Sequence, residues 1–126
     1  MAELTVLTMT EKVQIDSRRL AEIVDELGET AAHDVLTLAL EQLARGLQDL
    51  RAAAAQGDAA ALAMRAEMLA RLAWQLGMTS LAGVAVDVAV CAERRDDIGL
   101  AATLGRLLRI GNRSLTEIWD EDPGPG

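Results

Sequence analysis

The sequence contains no phenylalanine and no tyrosine, and Trp74 and Trp119 are its only large aromatic side chains. Nothing basic and aromatic is therefore on offer for stacking nucleobases, and a formal net charge of −8 repels phosphate backbones and anionic membranes alike. One cysteine, Cys91, excludes an intrachain disulfide. One histidine, His33, and that cysteine do not make a metal site. No uncharged apolar stretch is long enough to span a bilayer, and no basic segment followed by an apolar run marks a secretory signal. No glycine-rich phosphate loop is present. Gly105 and Gly111 are separated within one predicted helix, where they favour close helix packing. These absences lead to the expectation of a cytoplasmic protein without cofactor, metal, nucleic-acid or membrane partner.

What is present is helical. The hydrophobic fraction of 51% is mostly alanine and leucine, accompanied by Glu, Arg and Gln, which are good helix formers. A chain of 126 residues suits one compact domain. Residues 1–14 are Thr-rich and read as an arm. Asp16 or Ser17 caps a short helix that Gly28 ends. Thr30 caps a longer helix with the stripe Leu36, Leu40, Leu43, Leu47, Leu50. Gly57 ends it. Asp58 caps a third helix with Leu62, Leu69, Leu72, Ala73 and Leu76, stopped by Gly77. Thr79 or Ser80 begins a fourth, with Leu81, Val84, Ala85, Val88 and Ala92, and Cys91 expected among its buried residues. Asp96 or Asp97 begins a fifth, running through Leu100, Leu104, Leu107, Gly111 and Leu115 to about Trp119. Residues 120–126 read as a disordered acidic tail. Short turns force antiparallel neighbours. The expected fold is thus all-α: an up-down antiparallel four-helix bundle over residues 15–119 with an additional short N-terminal helix.

On the third helix the leucine stripe leaves Glu67 pointing outward, roughly 160° from Leu69. Ala60, Ala63, Met64, Ala70, Arg71 and Trp74 are placed around it. Small residues let another surface approach, and Met and Trp are frequent interface anchors, so this side reads as a docking face; the plain alternative is an alanine-rich helix with incidental exposure. Glu67 and Arg71 stand in the favourable order for an ion pair, which is also ordinary helix decoration.

These residues carry a resemblance. In histidine phosphotransfer (HPt) domains the active helix begins after Gly-Asp, with Leu four residues past the Asp and the phosphoacceptor His nine past it. Here Gly57 and Asp58 stand at the start, Leu62 follows four later and Glu67 nine later. Leu69, Ala73, Leu76 and Gly77 match the family's Leu, Ala, Leu and Gly. The chain resembles a degenerate HPt domain that lacks its histidine. Ala70 stands in place of the assisting lysine, Arg71 in place of the glycine that admits a partner, and Leu72 in place of the serine. The resemblance implies a phosphorelay protein of two-component signalling whose partner is a response-regulator receiver domain or a histidine kinase. Docking would involve Met64, Glu67, Ala70, Arg71 and Trp74, with Val86 and Val90 from the next helix; a wide buried face equally accounts for the two valines. Glu67 could form only an acyl phosphate, which needs a metal and an acidic cluster to lower the barrier. The expectation is therefore binding without phosphate transfer, with Glu67 either a fixed negative charge resembling the phosphorylated state or simply part of the docking surface.

His33 is the alternative phosphoacceptor. It opens His-Asp-Val-Leu-Thr, similar to the box of histidine kinases, but Leu38 stands where that box has proline. A helix-edge structural histidine is the other reading. Residue 47 is expected level with Glu67, which leaves His33 about 21 Å further along its helix. A third possibility is a helical module that self-associates through Trp74, Val86 and Val90.

Overall fold

A computed structural model of the chain describes residues 16–121. The arm at 1–14 and the last five residues of the expected tail lie outside the described residues. Five helices follow in order: α1 (Ser17–Leu27), α2 (Glu29–Ala55), α3 (Ala59–Gln75), α4 (Thr79–Glu93) and α5 (Asp97–Glu121). The short α1 precedes four long antiparallel helices. Sequential neighbours pack together, and α2 also meets α5, which closes the bundle. The last helix carries on through Glu121 rather than ending near Trp119. Among the described residues no helix is long and apolar enough to cross a membrane.

Three turns use one device. Gly57, Gly77 and Arg95 adopt φ of 68°, 77° and 54°. The next amide reaches back across each turn: Asp58 to the Ala53 carbonyl (3.1 Å), Met78 to Ala73 (2.9 Å) and Asp96 to Cys91 (3.0 Å). This is the Schellman arrangement, which satisfies carbonyls that the ending helix leaves open. Asp58 and Asp96 then accept from the amides of Ala61 and Gly99, each at 3.0 Å, and so cap α3 and α5.

One start differs from expectation. Thr30 lies inside α2, because Gly28 (φ 81°) both ends α1 and occupies the cap of α2. No linker remains in which Thr30 could take the extended backbone of a cap. Thr79 is the first residue of α4, as expected, and Met78 occupies its cap position. Asp16 does cap α1, accepting from the Arg18 amide. Its own amide donates to the Gly77 carbonyl at 2.6 Å, and Arg19 Nε donates to the Gln75 carbonyl at 2.9 Å. The start of α1 is thereby fastened to the α3–α4 turn.

Leu40, Leu43, Leu47 and Leu50 of α2 meet Leu62, Leu69, Leu81, Val84, Val88, Leu107 and Ile110 in one core. Leu36 and Leu72 are only partly buried at its margin. A Cβ at Gly111 would sit 2.7 Å from Leu47 Cδ1, so α5 approaches α2 closely there. Gly105 has no such role. The nearest atom to its Cβ position is Arg109 Nη1 of its own helix, at 3.5 Å. Cys91 is partly exposed rather than buried.

Helices α3 and α4 form the most extensive pair. The reason is a seam of alanines. Ala63, Ala66, Ala70 and Ala73 on α3 mirror Ala92, Ala89, Ala85 and Ala82 on α4, each pair equidistant from the connecting turn. All eight are buried. Small side chains on both facing stripes let two helices approach closely.

Candidate functional site

Glu67 lies midway along α3 and is exposed. Met64 and Trp74, on the same side, keep 52% and 67% of their surface, and Arg71 between them is exposed as well. On α4, Val86 is 50% exposed and Val90 half-buried. Met64, Glu67, Arg71 and Trp74 are thus all exposed on α3, and Val86 and, partly, Val90 are exposed on α4.

Ala70 does not belong to this surface, and neither does Ala63. Both are 8% exposed. The leucine stripe alone places them outward, but the alanine seam extends the buried arc of α3 around toward α4. The open face is correspondingly centred on Met64 and Arg71.

A further residue joins the site from α4. The Glu93 carboxyl lies within hydrogen-bonding reach of Glu67. That hydrogen bond holds the Glu93 carboxyl above the ordinary glutamate range, with smaller contributions from partial desolvation and from the repulsion of the Glu67 charge. Sequence reading along one helix does not find Glu93. The mirrored register about Gly77 does, because it puts the end of α4 beside the first half of α3.

The expected ion pair between Glu67 and Arg71 is not formed. Neither residue takes part in the ion pairs Arg18–Asp16, Arg19–Glu22 and Arg65–Asp49. Glu67 turns toward α4, whereas Arg71 lines the opposite groove between α2 and α3 with Gln42, Arg45, Met68 and Gln75.

Chemically, two adjacent carboxylates are a poor acceptor for a phosphoryl group. The second negative charge adds repulsion toward an anionic donor. Among the described residues no group of three or more His, Cys, Asp or Glu side chains is placed to hold a metal ion. What the face does offer is apolar area, two carboxylates and one guanidinium.

His33 is on the exposed side of α2, near its N-terminal end. A Cβ at Gly46 would lie 3.2 Å from Leu69 Cδ1, so that part of α2 is level with the middle of α3. His33 is thirteen residues away from Gly46, roughly 20 Å at the helical rise, and does not contribute to the Glu67 face. The chain matches no protein-family model, no curated protein and no solved structure.

Proposed function

We propose that this chain is an HPt-like, protein-binding regulator of two-component signalling that docks a receiver domain or a histidine kinase without carrying phosphate. The observation that carries the reading is the position of Glu67. It stands exposed at mid-helix between Met64 and Trp74, at the position where the resemblance calls for the phosphoacceptor. The five-helix architecture and the helix-starting Gly57-Asp58 pair support it. Docking rests on Met64, Trp74 and Val86, with Val90 at the margin. Glu67 contributes charge, either as a standing likeness of a phosphorylated side chain or as one more contact.

His33 supports a second reading, because its exposure leaves it accessible to a partner on a different face. One experiment addresses both. Purified protein is mixed with phosphorylated receiver domains from the same cell, with His33→Ala alongside, and both label transfer and complex formation are measured. The docking reading expects a complex without label on either protein. Label on the wild type that His33→Ala loses would establish transfer through His33. Neither label nor complex with any receiver or kinase would refute the signalling assignment.

A further inference from the structure

The outer side of α3 carries a second periodic stripe besides the one in the core. Ala60, Met64, Glu67, Arg71 and Trp74 recur at alternating spacings of four and three, and every one is exposed. That is the a/d spacing by which one helix seats another.

From Met64 to Trp74 its spacing reads the same from both ends. Glu67 and Arg71 are equidistant from the level of Leu69, and so are Met64 and Trp74. Two copies of α3 laid antiparallel about that level set Glu67 of each against Arg71 of the other, and Met64 of each against Trp74 of the other. A parallel alignment would set Glu67 on Glu67 and Arg71 on Arg71, which repel. The stripe is therefore complementary to itself in one orientation and one register, as a closed two-fold contact requires.

Within one chain these charges stay unused. Arg71 forms no ion pair among the described residues, although Glu67 is four positions away in favourable order. Glu67 instead lies beside Glu93, a second carboxylate. A guanidinium arriving from outside meets both. Methionine sulfur against an indole is a favourable contact, and the two tryptophans supply the apolar anchors.

We infer that the exposed stripe of α3 is the contact of a homodimer, in which a second copy packs antiparallel through Met64, Glu67, Arg71 and Trp74. The second copy occupies the face assigned above to the signalling partner, so the two uses exclude each other. The inference does not depend on that assignment, since it concerns only the chain and its own copy.

The test is the monomer–dimer equilibrium of the purified full chain, followed by sedimentation from micromolar to millimolar protein. Wild type is expected to dimerise across that range. Arg71→Glu and Glu67→Arg are each expected to raise the dimer Kd about tenfold or more, since every contact occurs twice. Combined in one chain, the two substitutions are expected to bring Kd back to within about threefold of wild type. A wild type that stays monomeric overturns the inference. A dimer indifferent to both single substitutions, or not recovered by the swap, overturns the assigned contact. Circular dichroism checks that each variant keeps its helices. Should a charge reversal unfold the chain, Arg71→Lys with carbodiimide in an isotopically mixed sample reads the same pairing. The expected product links position 71 of one copy to Glu67 or Glu93 of the other, and its absence counts against the dimer.

Discussion

The Glu93 carboxyl of α4 lies within hydrogen-bonding reach of Glu67 on α3, and that hydrogen bond is the main cause that holds Glu93 above the ordinary glutamate range. Because Glu93 is raised in the folded chain, the fold binds a proton more tightly than the unfolded chain does just above the ordinary glutamate range. The associated stability is present below that range and lost as pH rises through the raised Glu93 value. Glu67→Gln is expected to lower the Glu93 midpoint in a side-chain NMR titration. It should also flatten the pH dependence of the urea midpoint in that interval. An unmoved Glu93 midpoint would refute the contact.

Arg95 holds a left-handed backbone at a turn where the two equivalent positions, Gly57 and Gly77, are glycine. A side chain in that conformation costs roughly 1–2 kcal/mol. Arg95→Gly is expected to stabilise the chain by about 1 kcal/mol in urea unfolding, at an unchanged slope. No gain would mean that the arginine side chain makes contacts worth as much as the backbone relief.

Gly111 leaves no room for a methyl group, with Leu47 Cδ1 2.7 Å from the Cβ position. Gly111→Ala gains helix propensity but forces Leu47 or the helix axes to move. The net expectation is a loss of about 1–3 kcal/mol, measured as a fall in Tm.

The alanine seam makes a sharper demand. Ala66 and Ala85 are 0% exposed. Ala66→Leu is expected to cost about 1–3 kcal/mol by pushing α4 away. Ala60→Leu, on the exposed stripe of the same helix, should cost well under 1 kcal/mol. Equal effects at the two positions would contradict the placement of the seam.

On the signalling reading, Glu67→His alone is expected to take no label from a phosphorylated receiver, because Arg71 still stands where the resemblance has the glycine that admits a partner. Glu67→His with Arg71→Gly is the pair that should first show transfer. Robust labelling of the single variant would remove the steric part of the proposal.

The helix order was legible because its punctuation is chemical. Gly57-Asp58 and Gly77 mark turns through backbone conformation and capping, and both are where the sequence puts them. Thr30 misleads because a capping residue is informative only if a linker precedes it, and Gly28 leaves none. The surface around Glu67 was half legible. Met64, Arg71 and Trp74 follow from the wheel. Ala63 and Ala70 do not, because alanine is a good helix former in any setting and gives no local sign of being packed. Glu93 was hidden for a different reason. It belongs to another helix, and only the pairing register places it beside Glu67.

The seam between α3 and α4 bears on motion. Alanine has no rotamers, so the interface has no alternative side-chain arrangement into which it can slip. The hydrogen bond from Asp16 to Gly77 ties the turn end of that pair to α1, so a displacement of either helix at the turn is felt at the start of the bundle.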